Sequence, residues 1–221
     1  KAYRGFGKEE RCPLTNIGGK NFLLELYHGP TLAFKDVAMQ LIGQMFELSL
    51  QRKSQKIVIV GATSGDTGSA AIEAFRGLDS VEVFIMYPDG AVSEVQRRQM
   101  TTAVESNVNA LAVDGNFDDC QSLLKEMFND LDFRDEVNLA SVNSINWARV
   151  MAQVVYYFTS AISLGAPKNK VNFTVPTGNF GDIFAGYVAK KMGLPIEELI
   201  IATNQNDILP VSYTHLTLPT N

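Results

Sequence analysis

The chain has 221 residues, 46% of them hydrophobic, a composition typical of a globular protein large enough for one or two domains. Its formal net charge is −5, so it lacks the broad basic surface that nucleic acid binding requires, and we expect no nucleic acid partner. Small anionic ligands remain compatible with this charge, because they need only a few local donors.

No stretch approaches the roughly 18 consecutive apolar residues of a membrane helix, and the first residues lack the apolar core of a secretion signal. We therefore expect a cytoplasmic protein with no membrane partner. Cys12 and Cys120 are far apart in sequence and only two histidines are present, so we expect reduced thiols and no metal site. The sequence leaves the oligomeric state open.

Apolar, β-branched runs alternate with helix-like segments along the chain. The runs cover 56–60, 81–87, 109–113, 171–175 and 199–203. Between them, apolar residues at helical spacing predict helices over 67–76, 117–129 and 146–163. This alternation predicts an α/β fold with mostly parallel strands.

The first segment that could carry chemistry is 29–36, Gly-Pro-Thr-Leu-Ala-Phe-Lys-Asp, which delivers one lysine to the start of a predicted helix over 37–50. Partial desolvation of Lys35 would make its amine more available to condense with an aldehyde. By itself the pattern is weak, because a Lys-Asp pair at a helix start is commonly a surface ion pair.

A glycine-rich turn at 60–71 follows a predicted strand and opens a helix of small residues. Its glycines allow a ligand to approach the backbone. The N–H groups at the helix start could bind an anion, together with the hydroxyls of Thr63, Ser64 and Thr67. The turn matches neither the Walker pattern nor the dinucleotide fingerprint. Simple capping of the helix is the alternative interpretation.

A similar turn at 175–182, Val-Pro-Thr-Gly-Asn-Phe-Gly-Asp, again stands between a predicted strand and a predicted helix. Two anion-binding turns predict a ligand with two anionic ends, such as a cofactor phosphate and a substrate carboxylate, with a reactive group between them. Lys35 is the candidate for that group.

These segments together resemble the threonine synthase family over residues 11–209. The matching stretches are 28–36, 62–68, 143–146, 176–182 and 202–207. None is specific singly, but the combination is. The form Ser-Gly-Asp-Thr-Gly at 64–68 resembles the bacterial and fungal branch of that family.

The resemblance implies the fold shared with the tryptophan synthase β subunit, in which two α/β domains with parallel sheets hold pyridoxal 5′-phosphate in the cleft between them. Residues 41–150 would form the smaller domain, whereas 1–40 and 151–209 would belong to the larger, cofactor-binding domain. We predict one sheet in the smaller domain from strands near 57–60, 81–87, 109–113 and 139–142. A second sheet would contain 22–27, 171–175 and 199–203.

Family members continue well beyond residue 209. The resemblance therefore implies a central fragment, with an incomplete larger domain, that is inactive by itself. Residues 210–221 show no helical or α/β continuation, and we expect them to be a non-native tail.

By the same resemblance, Lys35 would be the catalytic residue and would carry the cofactor as a Schiff base. The cofactor phosphate would be held by the backbone of Gly178, Asn179, Phe180 and Gly181. Asp66 would face the pyridoxal ring. The substrate carboxylate would be faced by Thr63, Ser64 and Thr67. The wider superfamily commonly has asparagine where this chain has Asp66, and a carboxylate there would repel a phenolate unless one of the two oxygens is protonated.

The substrate phosphate is assigned to a segment at the start of the predicted helix over 146–163, comprising Asn143, Ser144, Asn146 and Arg149. Asn146 and Arg149 are three residues apart on a helix and would share a face. The alternative is ordinary capping followed by a surface arginine.

The implied reaction converts O-phospho-L-homoserine and water to L-threonine and phosphate. The cofactor would act as electron sink while Lys35 moves protons at Cα and Cβ. One alternative is another pyridoxal lyase, such as a serine or threonine dehydratase. The other is a non-catalytic phosphate- or nucleotide-binding module in which Lys35 only pairs with Asp36.

Overall fold

The structure, a computed structural model, describes residues 1–63, 65–144 and 146–205. The chain divides into two compact units, the first covering Lys1–Asn143 and the second beginning at Ser144. Within the described ranges, none of the helices has the length and apolar character needed to cross a bilayer. The same ranges contain no group of His, Cys, Asp and Glu side chains arranged to hold a metal ion.

The first unit begins with an antiparallel hairpin of β1 (Leu14–Gly18) and β2 (Asn21–Leu24). Gly18 and Gly19, in the turn, both have positive φ, a conformation that favours glycine. The prediction that 22–27 shares a sheet with 171–175 and 199–203 is therefore wrong for the described residues. The tight glycine turn places β2 beside the strand that precedes it in sequence.

A four-stranded sheet forms the centre of the first unit. Its strands are β3 (Ile57–Ala62), β4 (Val81–Pro88), β5 (Val108–Val113) and β6 (Leu139–Ala140). The order is β5-β4-β3-β6 and every pairing is parallel. This confirms the predicted sheet, although β6 has two residues where 139–142 was predicted.

Helices cover this sheet and meet at a buried core. They are α1 (Lys35–Lys53), α2 (Asp66–Phe75), α3 (Glu94–Thr101), α4 (Phe117–Asn129) and α5 (Leu131–Glu136). Met39 and Ile42 of α1 and Phe75 of α2 are fully buried. A Cβ on Gly43 of α1 would lie 2.4 Å from the carbonyl oxygen of Ala74, so the glycine allows α1 and α2 to pack closely.

The second unit contains α6 (Trp147–Ser163), β7 (Val171–Pro176), α7 (Gly181–Lys191) and β8 (Ile196–Ala202). Strands β7 and β8 pair in parallel, which confirms that 171–175 and 199–203 share a sheet. That sheet is separate from the one that contains β3. Helix α7 packs on α6 where a Cβ on Gly186 would lie 2.7 Å from the ring of Tyr157.

The predicted domain boundaries, 41–150 for the smaller domain and 1–40 with 151–209 for the larger, stay predictions. In the structure residues 1–40 group with the four-stranded sheet in the first unit. Residues 210–221, predicted to be a non-native tail, lie outside the described residues.

Candidate functional site

The loop that leads to Lys35 closes around the carboxylate of Asp36. Asp36 is fully buried and accepts hydrogen bonds from the backbone N–H and the hydroxyl of Thr31, both at 2.8 Å. A Cβ on Gly29 would lie 2.4 Å from Cβ of Asp36, so only glycine fits there. Burial raises the pKa of Asp36, against the opposing effect of the Thr31 hydrogen bonds. Asp36 therefore fixes the loop.

Lys35 forms an ion pair with Asp66. Its Nζ lies 3.3 Å from Oδ2 of Asp66 and 4.3 Å from the centre of the Phe34 ring. The Lys35 side chain is 16% exposed, which agrees with the predicted partial desolvation. The Lys35–Asp36 pair expected for a non-catalytic module is not formed, because Asp36 binds Thr31 and Lys35 faces Asp66.

Asp66 is the first residue of α2, and its carboxylate is held from two sides. Nε2 of Gln96 donates to Oδ1 of Asp66 at 2.5 Å, while Lys35 faces the other oxygen. Burial by itself raises the pKa of Asp66, but the Gln96 hydrogen bond and the Lys35 charge outweigh it and lower that pKa. Asp66 is thus kept ionised and faces a cation.

Thr63 stabilises the turn that precedes α2. It is buried, and its Oγ1 accepts hydrogen bonds from the N–H groups of Gly65 and Gly68, both at 3.0 Å. This engagement agrees with the capping interpretation for Thr63, and a role of the residue in substrate binding stays a prediction. Ser64 lies outside the described residues.

A cavity of about 350 Å³ lies beside this turn, at the carboxyl ends of β3 and β6. Thr63, Thr67 and Asn143 all line it, so the structure brings together three residues that were predicted to bind substrate. Helix α4 adds Gln121 and Lys125 to its wall. Ligands of α/β folds commonly bind at the carboxyl ends of parallel strands, and the volume suits a small molecule.

In the second unit, the turn between β7 and α7 is fixed at Thr177 and open at Gly178. The N–H of Thr177 donates to the carbonyl of Ala202, and its hydroxyl donates to the carbonyl of Val175, both at 2.8 Å. Gly178 and Asn179 are exposed, and a Cβ on Gly178 would meet no atom within 4 Å. Packing therefore does not require glycine at Gly178, whereas close approach of a phosphate to the backbone would.

Helix α7, which begins at Gly181 directly after Phe180, is tied to α6 by Asp182. The hydroxyls of Tyr156 and Tyr157 donate to the Asp182 carboxylate at 2.5 and 3.0 Å. Both tyrosines are buried, and burial together with the charge of Asp182 raises the pKa of Tyr157. The tyrosine therefore remains a donor and holds the start of α7 in place.

The predicted substrate-phosphate segment is arranged around the start of α6. Asn146 caps this helix by accepting from the N–H of Ala148 at 2.9 Å, which confirms capping at that residue. Arg149 is 3% exposed, so the surface-arginine alternative is wrong. Burial lowers its pKa to about 10, which still leaves the guanidinium protonated at neutral pH. A Cβ on Gly181 would lie 3.1 Å from the Ser144 carbonyl oxygen, so Ser144 borders the turn between β7 and α7.

Sequence reasoning missed the side chains that support these groups. Gln96 donates to Asp66, and Gln99 donates to the loop before Lys35. Tyr156 and Tyr157 donate to Asp182. A glutamine on a helix has no sequence signature of its own. The three-residue spacing of Gln96 and Gln99, on one helix face, was the only available signal.

The class of the protein follows from a family match. Residues 11–218 match the pyridoxal-phosphate dependent enzyme family, and the chain belongs to this family. The family resemblance, the α/β fold and pyridoxal 5′-phosphate as cofactor are thereby confirmed.

The chain is similar in sequence to several threonine synthases. The chain is 56% identical over 209 residues to threonine synthase of Pseudomonas aeruginosa, covering 95% of this chain and 45% of that relative. It is 52% identical over 223 residues to that of Saccharomyces cerevisiae, covering 95% and 43%. The crystal structure of PLP bound threonine synthase from Brucella melitensis has a TM-score of 0.90 and 63% identity, covering 96% of this chain and 46% of that one. The chain therefore spans less than half the length of the curated relatives it matches.

Proposed function

We propose that this chain supplies the catalytic lysine and the cofactor-phosphate turn of a threonine synthase. This lyase would convert O-phospho-L-homoserine and water to L-threonine and phosphate, as a cytoplasmic step of threonine biosynthesis. The observation that carries the proposal is the sheltered amine of Lys35, 3.3 Å from Asp66, in a member of the pyridoxal-phosphate dependent enzyme family. The similarity to threonine synthases supports the choice of reaction.

The described residues fit pyridoxal phosphate. The Lys35 side chain is only 16% exposed, and a Cβ on Gly178 would meet no atom within 4 Å, so a ligand can approach the backbone of that turn. The start of α7 adds the N–H groups and the dipole that favour a phosphate. When bound, pyridoxal phosphate supplies an electron sink for negative charge that develops on the substrate carbons.

Lys35 and Asp66 would divide the proton chemistry between them. The amine of Lys35, once neutral, would remove protons from Cα and Cβ of the substrate. After phosphate leaves Cγ and water adds at Cβ, protons return to Cγ and Cα. Whenever the amine is protonated, the ionised Asp66 holds it at the site through the observed ion pair. The proposal also includes attachment of the cofactor to Lys35 as a Schiff base. The cofactor phosphate would be bound by Gly178, Asn179, Phe180 and Gly181.

The substrate would be held at both ends. Its carboxylate is assigned to Thr63, Ser64 and Thr67, and its phosphate to Asn143, Ser144, Asn146 and Arg149. The protonated guanidinium of Arg149, buried near the helix start that carries Asn146, favours a phosphorylated substrate over the dehydratase alternative.

The activity can be tested in a graft. Residues 11–205 replace the matching segment of the Pseudomonas aeruginosa enzyme, and formation of threonine and phosphate from O-phospho-L-homoserine is measured. We expect an active graft in which Lys35→Ala lowers turnover by about a thousandfold, since it removes the proton carrier. Lys53→Ala, at the exposed end of the same helix, is the matched control and should keep full turnover.

Two outcomes would contradict the proposal. Turnover that survives Lys35→Ala would remove the lysine from the mechanism. Release of a 2-oxo acid from L-serine or L-threonine, without threonine formation from O-phospho-L-homoserine, would favour the dehydratase alternative.

Cofactor attachment needs no graft. The 221-residue chain is incubated with pyridoxal phosphate, reduced with borohydride and digested, and the labelled peptides are identified by mass spectrometry. We expect the label on Lys35 well above that on Lys53. Equal labelling of the two lysines would favour the non-catalytic module.

A further inference from the structure

Helix α3 contacts two segments of the first unit that carry predicted site residues, the loop before Lys35 and the turn before α2. Gln96 and Gln99 lie on one face of this eight-residue helix. Nε2 of Gln96 donates to Asp66 at 2.5 Å, and Nε2 of Gln99 donates to the carbonyl of Thr31 at 3.1 Å. One short helix therefore connects the turn before α2 with the loop before Lys35.

The amide of Gln96 has a defined orientation. The hydroxyl of Ser93 donates to Oε1 of Gln96 at 2.8 Å, which leaves Nε2 as the end that donates to Asp66. The same amide fills the space beside Gly65, where a Cβ would lie 2.5 Å from it. Contact with Ser93, Gly65 and Asp66 fixes the side chain within a narrow space.

Met100 packs α3 against α2. Met100 is its one buried side chain among the described residues, and the sulfur would lie 2.8 Å from a Cβ on Gly68 of α2. Val95 on the same helix is 68% exposed. Met100 and the two glutamine amides thus join α3 to α2 and to the loop before Lys35.

We propose that α3 is a clamp that fixes Lys35 against Asp66, with Gln96 and Gln99 as positioning residues. Gln96 acts through Asp66, and Gln99 acts through the carbonyl of Thr31 and the loop before Lys35. The consequence for cofactor capture rests on the proposed function, whereas the clamp itself is a property of the first unit alone.

Capture of pyridoxal phosphate by the 221-residue chain tests the consequence. The initial rate of borohydride-trapped label on Lys35 is measured relative to Lys53 in the same digest. Gln96→Ala should lower this ratio about tenfold and Gln99→Ala about fivefold, because a hydrogen bond to a charged group is the stronger of the two. Val95→Ala, on the exposed face of the same helix, is the matched control and should stay within about twofold of wild type.

Gln96→Glu separates positioning from a general loss of structure. The new carboxyl can donate to Asp66 only while it is protonated, and the proximity of Asp66 raises its pKa. The capture ratio of this variant to wild type should therefore rise as pH falls below about 6, while the corresponding ratio for Gln96→Ala stays flat. A flat ratio for both variants would show that Gln96 does not act through Asp66.

Hydrogen exchange tests the clamp without cofactor. Gln96→Ala should speed amide exchange at 65–68, and Gln99→Ala should speed it at 30–34, with Val95→Ala unchanged at both. If wild type fails to label Lys35 but the two glutamine variants show these exchange effects, the proposed function is wrong and the clamp holds. If both glutamine variants exchange and capture cofactor as wild type does, the clamp is wrong.

Discussion

Helices α2 and α7 begin in the same way, with a glycine and an aspartate after a parallel strand, yet the two aspartates have different surroundings. Asp66 faces Lys35 and Gln96 with 44% of its side chain exposed. Asp182 accepts hydrogen bonds from the buried hydroxyls of Tyr156 and Tyr157. The shared pattern places a carboxylate at a helix start, and the neighbours decide whether it pairs with a lysine or anchors the helix.

The two turns also differ in why they contain glycine. Gly65 has a φ of +154° and has the Gln96 amide against it. Gly178 is not among the glycines with positive φ, and nothing lies near its Cβ position. Glycine is needed by the fold at the first turn and, if the proposed function holds, by the ligand at the second.

The largest expected difference is in stability. Asp182→Ala should lower the free energy of unfolding by about 2–3 kcal/mol, because two buried tyrosine hydroxyls lose their charged acceptor. Asp66→Ala should lower it by less than about 1 kcal/mol, because its ion pair is partly exposed to solvent. Urea unfolding of both variants measures the difference. Equal losses of unfolding free energy would contradict the distinction between Asp182, which anchors a helix, and Asp66, which does not.

The glycines give a smaller contrast. Gly65→Ala should lower the free energy of unfolding by about 1–3 kcal/mol, since the new Cβ is strained by the backbone and meets Gln96. Gly178→Ala should change it by less than about 0.5 kcal/mol, since its Cβ enters open space. The same variant should weaken retention of pyridoxal phosphate, as measured by equilibrium dialysis. A destabilised Gly178→Ala variant would contradict the ligand-based explanation.

The smallest effect is a pH dependence at Asp66. Its folded-state pKa is lowered, so its contribution to stability is present above the unfolded pKa of about 4 and is lost as pH falls through the folded value. The stability difference between wild type and Asp66→Asn should therefore shrink on acidification below about pH 4. We expect a few tenths of a kcal/mol, screened further by added salt. A difference that grows on acidification would contradict the lowered pKa.

The central sheet could be predicted because its main strands are continuous apolar runs bounded by turns. The hairpin could not, because an apolar run such as 22–27 does not identify its partner. That partner depends on the backbone conformation of Gly18 and Gly19. The short β6 shows the same limit, since pairing with β3 ends after Ala140.

Lys35 and the two glycine turns could be singled out from sequence because their segments are specific in combination. The residues that support them could not, since their contacts join distant parts of the chain. Gln99 and Thr31 are separated by 68 positions, and Gln96 and Asp66 by 30. Arg149 shows the opposite case, in which helical spacing placed the residue but gave no information about its burial.

The closure of the Lys35 loop around Asp36 restricts which sequences this loop can accept. Gly29 leaves room for Asp36, and Thr31 supplies the two hydrogen bonds that satisfy its buried carboxylate. A larger residue at Gly29 would need a smaller one at Asp36, and loss of either Thr31 or Asp36 would leave the other's polar groups unsatisfied. These three positions should therefore co-vary among descendants of this sequence, so that the loop changes as a unit or is retained unchanged.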